Sequence, residues 1–400
     1  MSTSLADPPA SPEPPPVAGE GENPLARLSP EQLDALGREF DAIHDEVYAD
    51  LGDRDARYIR GTIKLHRQLV LAARALLLQS QRRPFWLAGT TALSLAKILE
   101  NMEIGHNVMH GQWDWMNDPD INSQSWDWDT ASPADAWRHS HNYEHHTYTN
   151  IRGKDRDLGY EIMRIDPHQK WHPVYLAQPL YNLLLMGFFE WGVAVHDLNR
   201  GAIHSGEKSK AQVVEELKAI GTKARDQIVK DYVAFPALSA LAGLVSSRGS
   251  AKAARRSFSS TLKANFTANI VRNVWSYSII FCGHFPDQTY TFSQDEVADE
   301  SRGGFYVRQL LGAANIDGGP LFHLLAGNLS FQVEHHLFPD MPSSRYAEIA
   351  PRVRDICRRY GLPYNTGPLH KQLGTVHRTI LRLAFPGGKV RPKPGAYRPV

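Results

Sequence analysis

The sequence predicts an all-α, integral membrane protein with about four transmembrane helices and a helical cap that holds a metal site. Three observations carry that prediction. Several apolar stretches approach or reach the roughly 20 residues that a helix needs to cross a bilayer. Nine of the 18 histidines gather in four short clusters. The chain has only two cysteines, Cys282 and Cys357, so no disulfide framework or four-cysteine cluster competes as its organising device. Mean hydropathy is −0.39, which a few spans set in a polar body would also give. The net charge of +1 provides no electrostatic footprint for nucleic acid.

Residues 1–28 form a Pro-rich segment, expected to be disordered. One domain follows, 29–380, and then a basic, flexible tail, 381–400. Within the domain, 29–60 reads as an amphipathic helix or helix pair, with Ser29 as cap and Pro30 at the first helical position. Residues 65–80 carry an apolar run interrupted by Arg74, and Arg82-Arg83-Pro84 marks a turn. The next run, 84–104, is long enough to span, with Lys97 and Glu100 placed to reach the interface. Further apolar stretches lie at 174–196, 232–247 and 264–285. Each is interrupted or short, and the core of a soluble helical protein would look similar.

The first histidine cluster is His106 and His110, an i, i+4 pair on one helix face. The second is His139, His141, His145 and His146, four imidazoles in eight residues. On an α-helix His141 and His145 share one face, while His139 and His146 share another. Crowded imidazoles repel when protonated and are costly to bury unpaired; a metal that binds the neutral ring removes both problems. The third is His284, in line with Asn265, Asn269, Asn273 and Ser276, a polar stripe that faces the interior or a wet cavity. The fourth is His335 and His336, with Gln332 and Asn328 on the same face and His323 on the opposite one. His139 is the second-cluster histidine least tied to the set. This many imidazoles exceeds what one metal can use and suits two. Ligand type alone does not choose among iron, zinc and copper. Only one Glu-x-x-His spacing occurs, Glu103 to His106, where soluble di-iron bundles carry two on different helices.

These boxes resemble those of membrane fatty acid desaturases: HNVMHGQW, then HNYEHHTYTN followed by Lys154-Asp155-Arg156-Asp157, then QVEHHLFP. The likeness runs from about residue 60 to 360, closest to bacterial acyl-CoA and acyl-lipid desaturases. It implies two iron ions held by His106, His110, His141, His145, His146, His284, His335 and His336, with dioxygen as co-substrate. Gln332 stands where relatives have a histidine, so Gln332, Asn328, His323, His139 or a water could complete the ligand set. Asp155 and Asp157 could fix ligand tautomers. The implied reaction inserts a double bond into a long-chain fatty acyl substrate, with electrons from an external reductase or ferredoxin. The alternatives are a hydroxylase or ketolase on the same scaffold, or a non-catalytic membrane metal-binding protein.

One site requires all four clusters on one side of the membrane. The spans are then 65–80, 84–104, 232–247 and 264–285, with 174–196 lying in the interface. The implied location is a bacterial cytoplasmic membrane, with the site on the cytosolic side. Arg248, Lys252, Arg255 and Arg256 would fall outside, against the usual charge bias. Trp113, Trp115, Trp126 and Trp128 either line the acyl tunnel or anchor at the interface.

Overall fold

The computed structural model describes residues 23–390, and they are mostly helical. Two helices cover the segment 29–60, and the second runs on through most of the 65–80 stretch. Helix α1, Pro30–Ala49, starts with a reciprocal cap: the Gln32 amide N–H donates to Ser29 Oγ (3.2 Å), and Ser29 N–H donates to Gln32 Oε1 (2.9 Å). Helix α2, Asp53–Leu77, follows directly. The turn at Arg82-Arg83-Pro84 starts α3, Arg83–Ile98, which runs on through a π-helical stretch, Leu99–His106, to Met109. Helix α4 is Ala134–Trp137, continued by a second π stretch, Arg138–His145, and a last turn to Tyr148. The segment 174–196 breaks at Phe188 into α5, Gln178–Gly187, and α6, Phe189–His196. Neither piece could cross a bilayer.

The stretch 232–247 is only the end of α7, Lys210–Ser246. Among the described residues, α7 is the one helix that passes for a membrane span by both length and composition. Similarly, 264–285 lies within α8, Ala251–His284, whose 34 residues reach about 50 Å. Helices α2, α3, α7 and α8 pack side by side. Leu71, Leu87, Leu238, Leu241, Val245 and Phe266 on them stay exposed.

Several charges within the apolar stretches of these helices turn inward. Asp231, in the middle of α7, pairs with Arg74 of α2 (2.8 Å) and Lys97 of α3 (2.8 Å). Lys97 also meets Asp129 (3.3 Å), and Glu100 accepts the Asp129 N–H (2.9 Å). Lys97 and Glu100 are therefore buried partners in a network and do not reach the interface. A lone charge among apolar helices is costly, and pairing offsets that cost. The stripe of α8 is buried as expected: Asn273 donates to the Gly187 carbonyl (3.0 Å) and Ser276 to Asn101 Oδ1 (2.7 Å).

The cap is built from α1 with α9, Arg302–Gly312, α10, Gln332–Leu337, and α11, Tyr346–Arg359. Its core holds Leu36, Phe40, Tyr306, Val333, Phe338 and Tyr346. Strands β1, Asn315–Asp317, and β2, Thr366–Pro368, form a small parallel pair ahead of α12, Leu369–Leu383.

Ahead of α1, Pro24–Arg27 forms a 3-10 turn, and Leu28 is buried in the cap core. Helix α12 continues past 380 to Leu383. Residues 1–22 and 391–400 of the expected flexible ends lie outside the described residues.

Candidate metal centre

Four elements deliver histidines to one buried volume. The π stretch ending α3 brings His106 and the next turn brings His110; α4 brings His141, His145 and His146. The last residue of α8 is His284, and the short α10 carries His335 and His336. All eight are held together. One ligand atom from each of His106, His110, His141 and His335 lies within 4.8 Å of the others, and His145, His284 and His336 form a second such group. His146 sits between them, its ring centre 4.7 Å from His110, 4.9 Å from His335 and 4.5 Å from His336.

The π geometry explains one departure from the sequence reading. A continuous α-helix pairs His139 with His146. In the wider turn, His141, His145 and His146 all face inward, while His139 is exposed and stacks on Tyr143. Such turns recur at functional sites.

Five of the rings, those of His106, His141, His145, His335 and His336, are steered by their outer nitrogen. Asp155 places its carboxylate oxygens 3.0 and 3.1 Å from His145 Nδ1, and Asp157 lies 3.5 Å from His141 Nδ1. Tyr346 Oη is 3.1 Å from His335 Nδ1, Gln309 Oε1 is 3.0 Å from His336 Nδ1, and Asn107 Oδ1 is 2.9 Å from His106 Nδ1. These contacts fix ring orientation and leave Nε2 aimed at the centre. The carboxylates of the KDRD loop were anticipated from sequence. Asn107, Gln309 and Tyr346 were not, because single residues scattered among different elements carry no local signal. Trp137, stacked on His141 at 4.6 Å, and His196, 2.8 Å from Asp157 Oδ1, were likewise missed.

Burial and the neighbouring rings push His110, His146, His335 and His336 well below the ordinary imidazole range. They are neutral at pH 7, the form that binds a metal. Burial pulls His145 down too, but Asp155 and Asp157 outweigh it and hold the ring above its usual value.

The donor set fits a metal pair. His110, His141, His145, His335 and His336 each bury an Nε2 with no hydrogen-bond partner, His146 buries both nitrogens so, and His284 buries Nδ1. Leaving that many polar atoms unpaired is expensive, and bound cations would satisfy them together. Gln332 adds an unpartnered buried Oε1 beside the second group, its Nε2 3.1 Å from His284 Nε2. Asn328 is instead engaged with Glu103 (2.9 Å) and Tyr58 (3.2 Å), and His323 with Ser330 (2.7 Å).

A cavity opens beside His106, His141 and His284, with Met102, Trp128 and Val193 among its walls. Of Trp113, Trp115, Trp126 and Trp128, only Trp128 lines it. Trp113 is fully buried against Ile59 and Val108, with Trp115 and Trp126 packed on the same cluster.

Residues 84–368 match the family model described as "Fatty acid desaturase". The chain is 46% identical to an NADPH-dependent stearoyl-CoA 9-desaturase of Mycobacterium tuberculosis, over 92% of this chain and 83% of that one. It is 26% identical to the sn-1 linoleoyl-lipid 6-desaturase of Synechocystis, over 72% of this chain and 77% of that one. It is 25% identical to Delta(5) fatty acid desaturase A of Dictyostelium discoideum, over 69% of this chain and 58% of that one. The histidine boxes around one buried centre and these matches lead to one conclusion: the chain belongs to the fatty acid desaturase family and is an oxidoreductase of that kind.

Proposed function

We propose that this chain is a membrane-spanning acyl-CoA desaturase that inserts a double bond at carbon 9 of a long saturated chain, using two irons. The observation that carries the reading is the pair of adjoining histidine groups with unpartnered nitrogens facing inward. His106, His110, His141 and His335 would hold one iron, His145, His284 and His336 the other, and His146 the space between. Gln332 or a water completes the second set. Bound there, the metal pair supplies, with dioxygen and two electrons, an oxidant able to break an unactivated C–H bond, which no side chain can do.

The protein's own groups do the rest. Asp155, Tyr346 and Gln309 keep the protons on Nδ1 of their partner rings and hold those rings in place. Trp137 covers His141 and limits water. The cavity's apolar walls, Met102, Trp128, Val193 and Ile280, receive the acyl chain next to the rings. The acyl-CoA and carbon-9 assignment rests on the Mycobacterium tuberculosis relative, whose name also points to NADPH as the electron source. The sequence carries no Gly-rich dinucleotide fingerprint. A separate electron-transfer protein therefore connects NADPH to the site. Helices α2, α3, α7 and α8 are the four spans, α5 and α6 lie at the interface, and the site faces the cytosol.

The test is expression in a bacterial host with a matching reductase, followed by gas chromatography of its fatty acids. New unsaturation at carbon 9 of C16–C18 chains is expected. An oxygenated product instead would point to a hydroxylase, and no oxygen consumption by iron-loaded protein would overturn the enzymatic reading.

A further inference from the structure

The end of the helical bundle farthest from the histidines has an unusual charge pattern. The sequence has no Asp or Glu between Asp55 and Glu100, and none between Asp231 and Asp287. Within those two stretches lie the α2–α3 turn and the α7–α8 turn, and the first packs against the early turns of α8 that follow the second. Ser80 Oγ is 2.8 Å from Thr261 Oγ1, Ser260 Oγ donates to the Ser80 carbonyl (2.6 Å), Ser257 Oγ donates to Gln81 Oε1 (3.2 Å), and Trp86 Nε1 donates to the Ser260 carbonyl (3.1 Å). Around this junction Arg82, Arg83, Arg248, Lys252, Arg255 and Arg256 are all exposed.

Among the described residues none of these six makes an ion pair, in contrast to the inward-facing Arg74 and Lys97 of the same helices. Six like charges crowded on one tip repel one another unless a counter-charge is supplied. That counter-charge does not come from the described part of the chain. Exposed Leu78, Leu87, Leu241 and Val245 border the tip, so the missing anion sits where an apolar belt meets a polar end. From Arg256 to His284 along α8 is about 40 Å, more than the roughly 30 Å of a hydrocarbon core.

We propose that this tip binds the phosphate groups of anionic phospholipids in the leaflet opposite the histidine site. The proposal rests on the membrane-spanning reading given above. The lipids neutralise arginines and lysines that the usual charge bias would place on the cytosolic side. The acyl tails of the same lipids cover Leu78, Leu87 and Val245.

The experiment uses the full chain, purified in detergent and exchanged into nanodiscs of phosphatidylcholine with or without about 30% phosphatidylglycerol. Bound lipid is counted by native mass spectrometry after extraction. Wild-type protein should retain phosphatidylglycerol over phosphatidylcholine, and retention should fall as salt rises. The variant R82Q/R83Q/R248Q/K252Q/R255Q/R256Q should retain about tenfold less, with desaturase activity unchanged. If the sixfold variant does not fold, R255Q/R256Q should show a smaller loss in the same direction. Equal phosphatidylglycerol retention by wild type and variants would overturn the proposal. Full displacement by millimolar inorganic phosphate would also overturn it, because a free anion would then be the ligand. Cysteine labelling at Ser247 in sealed vesicles separates the two readings: labelling from the cytosolic side would sink the topology itself, whatever lipid is bound.

Discussion

At the residue scale the centre divides its histidines sharply. His335 is fully buried with a free Nε2, and His145 is nearly so, whereas His139 points to solvent. His335→Ala or His145→Ala should abolish desaturation and lower bound iron while the far-UV circular dichroism stays helical. His139→Ala should keep near wild-type product yield. Asp155→Asn removes the carboxylate behind His145, and loss of such an outer partner costs about 10–100-fold in metal affinity or activity. An iron titration followed by oxygen-uptake assay checks it; rescue by Asp155→Glu would separate orientation from mere bulk.

Away from the centre, His44 Nε2 lies 3.3 Å from Asp340 Oδ2, and Tyr48 donates to the same carboxylate (2.9 Å). The Asp340 contact raises the His44 imidazole above its usual value. Burial would raise the Asp340 carboxyl, but His44 and Tyr48 hold it lower. The raised His44 contributes stability fully below its unfolded value of about 6.5, and that contribution is lost as pH rises through the folded value. The lowered Asp340 contributes above its unfolded value of about 3.9 and loses that as pH falls. His44→Asn should therefore cost most near pH 5–6, roughly between those limits, and little at pH 9, as read by thermal melting across pH.

At the element scale the π stretches decide which residues face the centre. They were the least legible feature, because a helical wheel drawn at a fixed angle cannot show an inserted residue. The boxes themselves were legible, since their spacing survives the insertion. The apolar stretches were legible as helices but not in their limits: α7 begins at Lys210, and a charged, exposed first half hid its continuity with 232–247. Contact between elements is tight where α3 meets the loop ahead of α10. Gly327 has φ +69°, and a Cβ there would lie 2.5 Å from the Met102 carbonyl oxygen. Its own carbonyl accepts from Asn107 (3.1 Å), the residue that steers His106. Gly327→Ala should lower stability by ~1–3 kcal/mol or more and reduce iron occupancy, measured together by melting temperature and metal analysis.

At the scale of the whole molecule, the all-α architecture was readable from the sequence, and three of the four clusters stood out because each lies in a short, dense motif. The steering residues were not, since Gln309, Tyr346 and Asn107 become neighbours of the rings only through tertiary packing. The burial that creates the centre also governs how it can be filled. His145, His146, His335 and His336 are each at most 6% exposed, and the bundle, cap and Trp137 close around them. Metal exchange from the folded state must therefore wait for the cap to part from the bundle. Loaded enzyme should surrender iron to a large chelator such as EDTA over hours, at a rate that tracks partial unfolding in mild denaturant and ignores chelator concentration. Enzyme starved of iron at synthesis should likewise regain activity only over hours once the metal is restored.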